Sequence, residues 1–198
     1  GCSVTKVYNL DGPAPGCFSC PVVSTLSASP SPVCRFGNVT LTASGIGGMG
    51  VTYGIQFKYF AAPTTDPYTG GTSIATVPNG ALGGGGTTAQ TTTSFATAGI
   101  YYIYAILSPV PGDAGCRPSA TTTLIVNDIP QGPTAVAETS GTANNDGIIC
   151  AGASATLTAA AGSTAYLWST GETTQIITVT PAATTTYIVT LTNGAGCT

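Results

Sequence analysis

The chain has 198 residues, enough for one large or two small domains, and 42% of them are hydrophobic. Only 6% are charged, with four basic and seven acidic residues, no histidine and a net charge of −3; ordinary soluble domains carry about 25% charged residues. So few cations cannot neutralise a run of phosphates, which argues against nucleic-acid binding. No apolar run reaches the roughly eighteen residues that a membrane-spanning helix requires.

Seven cysteines without a histidine or a metal-type spacing indicate disulfides, and therefore an extracellular or cell-surface location. Buried free thiols in a cytosolic protein fit the Thr-, Gly- and Asn-rich composition less well. The chain opens without an initiating methionine or a signal peptide, so we expect a processed form or a piece of a longer protein.

The first ten residues, "GCSVTKVYNL", alternate apolar and polar side chains as a β-strand does. We expect residues 1–10 to be the closing strand of a preceding unit or a donor strand for another copy, and residues 11–20 to be a linker. The linker contains Cys17 and Cys20 in a C-x-x-C spacing, which can indicate redox chemistry or half a zinc site. Because no second ligand pair is present, a local linker disulfide is favoured, and Cys2 is left without a partner in this chain.

Residues 21–127 form the first predicted module. Its short alternating runs, such as "NVTLTAS", "YGIQFKYF" and "YYIYAIL", are separated by turn residues and predict an antiparallel sheet structure. An insertion lies near residues 61–90 and includes the run Gly83–Gly86. Because that run does not precede a helix, we interpret it as a flexible loop and not as a phosphate-binding turn.

A second module is predicted over residues 133–198, after a linker at 128–132. Its "ICAGASATLTAAAG" aligns with "VCRFGNVTLTASG" of the first module, and its "TNGAGC" aligns with "GDAGC". Repetition at about a hundred residues indicates a tandem array. The first module ends with "RPSATTTLIVND", whereas the second is expected to lack this final strand. The predicted fold class is all-β, with tandem immunoglobulin-like antiparallel β-sandwiches and inter-sheet disulfides.

The cysteine positions predict one disulfide in each module, Cys34–Cys116 and Cys150–Cys197. These would close loops of about 80 and about 50 residues and stabilise the fold by roughly 3–4 kcal/mol each.

Two aromatic residues are predicted to lie in the module cores, Trp168 in the second and Phe57 in the first. The order Cys150, Trp168, Cys197 is that of immunoglobulin-type sandwiches, which favours a core tryptophan over a sugar-stacking platform. In "GIYYIYAIL", Tyr102 and Tyr104 share one face of a strand. That face is expected to be either core or an exposed aromatic surface.

The run "YLWSTGETTQIITVTPAATTTYIVTLTNGAGCT", preceded by "GIICAGASATLTA", carries a family resemblance. With its "WSTGETT" hairpin and the following "PAATTTY", it resembles the immunoglobulin-like or PKD-like repeats of large cell-surface adhesins from gliding, biofilm-forming bacteria, which are typically exported by a type IX secretion route. The resemblance is close over residues 148–198 and looser over the first module. It implies an extracellular role that is mechanical or adhesive.

No enzymatic activity and no cofactor are expected, because histidine is absent and the acidic residues occur singly in turns and linkers. "NNDG" at residues 144–147 offers oxygen ligands for calcium, but turn formation explains it better. Asn38 in "NVT" is a possible glycosylation site.

Two functional hypotheses remain. The first is a structural repeat or subunit of an extracellular bacterial filament or surface stalk, which self-associates end to end through β-strand addition. The second is the binding head of an adhesin, in which the insertion and the tyrosines contact glycans or another surface.

Overall fold

The computed structural model describes residues 20–48, 53–83, 86–112, 116–132, 134–141 and 143–198. The predicted strand at residues 1–10, with Cys2, and the linker residue Cys17 lie outside the described residues. The described ranges contain thirteen strands, one 3₁₀ turn at Asn79–Ala81 and no α-helix, so the all-β class is confirmed. The strands are β1 Thr25–Ser29, β2 Val33–Cys34, β3 Asn38–Ser44, β4 Gly54–Phe60, β5 Thr72–Val77, β6 Thr88–Ser94, β7 Gly99–Ser108, β8 Ser119–Asn127, β9 Ala135–Ala137, β10 Ala155–Thr158, β11 Ala165–Trp168, β12 Ile176–Val179 and β13 Val189–Thr192.

The chain divides into two compact units. The described part of the first unit comprises residues 20–32, 38–48, 53–83, 86–94, 100–112 and 116–125, and that of the second unit comprises 33–37, 95–99, 126–132, 134–141 and 143–198. The short segments 33–37 and 95–99 thus group with the second unit, although they lie within the sequence range of the first predicted module.

The first unit contains an antiparallel sheet of three strands in the order β1-β3-β6. The alternation in "NVTLTAS" explains the central strand, because Val39, Leu41 and Ala43 turn to one side and are fully buried. The threonines between them lie on the other face, where the Thr40 and Thr92 hydroxyls of neighbouring strands are 3.4 Å apart.

The other sheet of the first unit has the strand order β8-β7-β4-β5. Phe57 of β4 lies opposite Ala105 of β7, and both are fully buried, as are the flanking Ile55 and Ile103. The core position predicted for Phe57 is therefore confirmed. On the opposite face of the same strands, Lys58 and Tyr104 are also buried.

A segment that we call the strap, residues 61–71, covers this second face of the sheet. The Tyr104 hydroxyl accepts a hydrogen bond from Thr64 N (2.9 Å) and donates one to Thr64 O (3.1 Å). The Tyr68 hydroxyl donates to Pro118 O (2.6 Å) and accepts from Leu107 N (3.2 Å). The predicted insertion thus folds onto the sheet from residue 61, and Tyr104 does not form part of an exposed aromatic surface.

The strap ends at position 71, where only glycine fits well. Its φ is +69°, in the left-handed region, and a Cβ there would lie 2.4 Å from Cζ of Phe60. The close approach of backbone to ring lets the chain turn from the strap into β5.

The second unit contains the sheet β9-β10-β12 and the strand pair β11-β13, all antiparallel. Leu157 in the centre of β10 lies opposite Ile177 on one side and Val136 on the other. In the same unit Val33–Cys34 pair in parallel with Val126–Asn127. The described sheets are therefore not purely antiparallel.

The predicted disulfide pairings are wrong. Cys20 is bonded to Cys116, and Cys34 is bonded to Cys197, whereas Cys150 is free and exposed. Cys20 therefore does not form a local linker disulfide with Cys17.

Contacts within the second unit explain the pairing of Cys34. Its strand β2 lies beside Asn127, and Arg35 Nη1 forms an ion pair with Asp128 Oδ1 at 2.7 Å. The Asn193 side chain, in the turn that carries Cys197, donates to Asp128 O at 2.7 Å. Asp128 therefore contacts both segments and holds the two cysteines close together. The predicted modules placed Cys34 and Cys197 in different modules, so they did not predict this disulfide.

Candidate functional site: the cleft of the second unit

The core of the second unit is small. Six buried residues form it: Ala155, Leu157, Ala159, Trp168, Ile177 and Val179. Around them six hydrophobic residues are only partly buried: Val136, Ile149, Tyr166, Tyr187, Val189 and Leu191. A core whose outer ring stays in contact with water is incompletely covered.

Trp168 is fixed at the centre of this core, and 3% of its surface is exposed. Its indole Nε1 donates to Thr174 O at 2.8 Å, and its backbone N donates to Glu172 O at 2.9 Å. Both acceptors belong to the hairpin "WSTGETT", so this motif orients the ring. The ring is thereby held as part of the core, and not as an exposed stacking surface.

A cleft of about 590 Å³ opens beside this core. Its lining comes from β9 (Val136), from β10 (Ala155 and Leu157), from Trp168 and from residues 181–187, including Tyr187. Threonines at positions 134, 184 and 185 add hydroxyl groups. The floor is thus apolar with hydroxyl groups beside it, as in sites that bind extended peptide or small amphipathic ligands.

Strands β13 and β7 differ in how many strands they pair with. In the first unit β7 lies between β8 and β4, and its residues Ile103, Ala105 and Leu107 are fully buried. In the second unit β13 pairs with β11, and no strand of the described residues lies along its other edge. Its side chains Val189 and Leu191 remain half-buried.

Cys150 lies between Ile149 and Ala151, which both line the cleft. Its side chain is exposed, and its backbone N donates to the Ser140 hydroxyl at 3.4 Å. The sequence pattern predicts a disulfide between Cys150 and Cys197 and gives no sign that Cys150 lies beside a cleft.

The loop with the "NNDG" turn is held by a buried carboxylate. Glu138 Oε2 accepts from Ser140 N (3.1 Å) and Oε1 accepts from Asp146 N (3.0 Å). Asp146 Oδ1 in turn accepts from Ile148 N (2.8 Å). Since these oxygens bind backbone amides, the loop has the geometry of a self-satisfied turn. Within the described ranges no three acidic, cysteine or histidine side chains are grouped to hold a metal ion.

A small polar pocket of the first unit lies at the strap, between Asp66 and Arg117. The Thr69 hydroxyl donates to Asp66 Oδ2 (2.8 Å) and Tyr68 N donates to Oδ1 (3.1 Å), and these bonds lower the pKa of Asp66. Burial raises the pKa of the Tyr68 hydroxyl. The Asp66 carboxylate thus stabilises the turn that begins at Asp66 and Pro67.

Asn38, the possible glycosylation site, is exposed at the first position of β3.

Val136 and Tyr187 line the cleft but were not predicted as site residues, although the sequence contained a partial indication of their position. Each occupies an apolar position within a predicted alternating run, but alternation does not tell whether a partner strand covers it.

A scan of the sequence against models of known families finds no match, and a search of curated proteins finds none. In the part of the chain that the structure describes, no helix has the length and apolar character needed to cross a membrane.

Proposed function

We propose that this protein is a non-enzymatic structural repeat or subunit of an extracellular bacterial filament or surface stalk. Immunoglobulin-like modules are joined end to end by β-strand addition and are stabilised by disulfides. The observation that carries the proposal is that β13 pairs with β11 alone among the described strands, in a unit whose core also lines a cleft of about 590 Å³. An unpaired edge next to uncovered core favours the addition of a further strand, which supplies backbone hydrogen bonds and fills the cleft with alternate side chains.

Strand order supports the immunoglobulin-like interpretation. In the first unit, β1-β3-β6 and β8-β7-β4-β5 correspond to the A-B-E and G-F-C-C′ orders of that architecture. In the second unit, β9-β10-β12 and β11-β13 correspond to A-B-E and C-F, without a G strand. The second proposed module thus has two strands fewer than the first, since counterparts of β8 and β5 are not present among its described strands.

Two disulfides support an extracellular location, since such bonds persist in oxidising compartments. The resemblance of residues 148–198 to repeats of bacterial surface adhesins is consistent with that location and with a mechanical role.

Most basic and acidic side chains of the described residues bind or pack against other parts of the protein. Lys58 is buried and its Nζ donates to Pro67 O at 3.2 Å. Arg35 pairs with Asp128, and the Arg117 guanidinium lies 5.7 Å from the centre of the Tyr68 ring. The carboxylates of Glu138 and Asp146 accept backbone hydrogen bonds.

The experiment is sedimentation of the oxidised chain over a series of concentrations, combined with hydrogen exchange of residues 187–192. We expect particles that grow with concentration and slower exchange along β13 in the assembled form, because an added strand protects the amides of the edge it pairs with. A chain that stays monomeric while the β13 amides exchange freely contradicts the proposal.

The alternative function, a carbohydrate- or surface-binding head of an adhesin, has one supporting observation. Tyr59 and Tyr101 are partly exposed and stack edge to face at 5.2 Å between ring centres. Such rings can pack against a sugar. Binding to a glycan array that does not weaken with salt, and that Tyr101→Ala abolishes without loss of stability, would favour this function.

A further inference from the structure

We propose that the polar pocket beside the strap binds the zwitterion of a small α-amino acid, with the ligand carboxylate on the Arg117 guanidinium and the ligand ammonium group on the Asp66 carboxylate. The pocket has a volume of about 310 Å³, and its lining residues all belong to the first unit. The inference is independent of the proposed assembly, since neither β13 nor the cleft of the second unit takes part in it.

The Asp66 carboxylate is held in place by uncharged partners. Its Oδ2 accepts from the Thr69 hydroxyl at 2.8 Å, and its Oδ1 accepts from Tyr68 N at 3.1 Å. These two bonds lower the pKa of Asp66, so the group is ionised near neutral pH. Each oxygen of an ionised carboxylate has two lone pairs, and each can therefore accept one more hydrogen bond.

The Arg117 guanidinium is also held by groups without charge. Its Nε donates to Pro111 O at 3.3 Å, and its Cζ lies 5.7 Å from the centre of the Tyr68 ring. Among the described residues, Nη1 and Nη2 of Arg117 have no hydrogen-bond acceptor. The donors of both Nη groups are therefore available to a ligand, in the planar arrangement that matches a carboxylate.

Asp66 and Arg117 line one pocket, but within the described ranges no ion pair joins them. In the second unit the same two residue types do form one, from Arg35 Nη1 to Asp128 Oδ1 at 2.7 Å. Besides the hydrogen bonds from Thr69 and the backbone, the Arg117 charge lowers the pKa of Asp66, so the two groups are near each other. Opposite charges held apart beside one polar pocket are complementary to a ligand that carries both charges.

Contacts of the strap with the sheet keep this arrangement rigid. Lys58 Nζ of β4 donates to Pro67 O at 3.2 Å, in the centre of the pocket-lining segment. On either side of Pro67, Thr64 N donates to the Tyr104 hydroxyl and the Tyr68 hydroxyl accepts from a backbone amide of β7. A site whose groups are already oriented loses little conformational entropy when a ligand binds.

The remaining lining restricts the ligand to a small polar molecule. Thr65 and Ser119 contribute hydroxyl groups, and the volume is near the lower end of the roughly 300–1,000 Å³ found for ligand pockets. Because Asp66 and Arg117 are both exposed, water and salt screen each charge pair. We therefore expect weak binding that salt weakens further.

The test compares serine, serinamide and N-acetylserine as ligands of the full chain, by NMR at about pH 6, where their ammonium and carboxylate groups are ionised. Serinamide lacks the carboxylate, and N-acetylserine lacks the ammonium group. We expect serine to shift the Tyr68 amide and Arg117 Nε–H signals saturably. Each analogue should bind about fivefold more weakly, because one exposed charge pair contributes about that factor.

Two substitutions assign each ligand charge to its partner. Arg117→Gln should remove the difference between serine and serinamide, because the ligand carboxylate has lost its partner. Asp66→Asn should remove the difference between serine and N-acetylserine in the same way. Arg35→Gln is the matched control and should leave serine binding unchanged, since Arg35 pairs with Asp128 in the second unit. The comparison of the three ligands on the unsubstituted chain stands even if a variant fails to fold.

The outcomes that overturn the inference are distinct from those that contradict the proposed function. Serine that shifts no signal of residues 64–69 or of Arg117, or that binds no better than both analogues, overturns the inference. An Arg117→Gln chain that still prefers serine to serinamide, or a loss of serine binding in Arg35→Gln, does so too. None of these results bears on strand addition, which sedimentation and hydrogen exchange of β13 test separately.

Discussion

Cys34 and Cys197 are 163 positions apart in the sequence, and their Cα atoms lie 5.6 Å apart in a disulfide. The bond joins the short strand β2 to the turn after β13, so it closes a loop that contains most of the chain. Its effect is greatest on the unfolded state, which loses the freedom of that long loop.

We expect peptide mapping without reduction to recover Cys34 linked to Cys197 and Cys20 linked to Cys116. Cys34→Ser should destabilise the second unit by up to about 5 kcal/mol, the chain-entropy value for a loop of this length. Denaturant unfolding measures the loss, and Cys150→Ser is the matched control because Cys150 forms no disulfide among the described residues. A Cys34–Cys116 peptide in the map would contradict the pairing.

Thiol labelling of the native chain should modify Cys150 and spare Cys20, Cys34, Cys116 and Cys197. The Cys150 side chain is exposed, whereas the other four are held in disulfides. Alkylation without denaturant, followed by mass mapping, reports this directly. Modification of Cys197, which is fully buried, would be incompatible with the fold.

Phe57→Ala should cost about 3–5 kcal/mol of unfolding free energy, because it leaves a cavity in a core that cannot easily collapse. Phe57 is fully buried opposite Ala105. Ile100→Ala, at a side chain that is 53% exposed, is the control and should cost less than about 1 kcal/mol. Similar losses in the two variants would show that Phe57 is not part of the core.

Tyr104→Phe should loosen the strap by removing a hydroxyl that bonds both Thr64 N and Thr64 O. We expect a loss of about 1–3 kcal/mol, since two backbone groups lose a partner. Faster proteolysis within residues 61–71 should accompany it, and Tyr102→Phe on the same strand serves as control. Unchanged proteolysis would mean that other contacts hold the strap.

Thr69→Ala should raise the pKa of Asp66 toward its ordinary value of 3.8, because the Thr69 hydroxyl is the largest cause of its lowering. A carboxyl whose pKa is lower in the folded state favours folding above its unfolded pKa. That contribution disappears as the pH falls through the folded pKa. Carboxyl carbon NMR titration of both proteins measures the change, and a pKa of Asp66 that is already ordinary before substitution would contradict the Asp-Pro turn.

Local alternation predicted the strands well, for a physical reason. In "NVTLTAS" the buried residues follow period two, and burial of one sheet face fixes that period. In "GIQFKYF" Ile55 and Phe57 keep that spacing, but Gly54 and Lys58 on the other face are buried as well. Trp168, predicted as core from the order Cys150, Trp168, Cys197, and Phe57, predicted as its counterpart in the first module, are both buried.

The cysteine pairing and the strap could not be predicted in this way, because both depend on contacts between distant residues. Cys34 and Cys197 lie close together because Arg35 and Asn193, near the two cysteines, both bind Asp128. No local sequence pattern predicts these contacts. Lys58 appears in the sequence as a solvent-facing residue of an alternating strand, yet the strap buries it. The cleft could not be predicted in this way either, because its lining depends on how residues 181–187 fold against β9 and β10.

The disulfide between Cys34 and Cys197 also determines how this part of the chain responds to tension. A pull applied upstream of Cys34 and downstream of Cys197 is carried across the sulfur–sulfur bond, so the backbone between the two cysteines cannot be drawn out while the bond is intact. The segment between the two cysteines would keep its end-to-end length under load and would extend only after a reductant cut this bond.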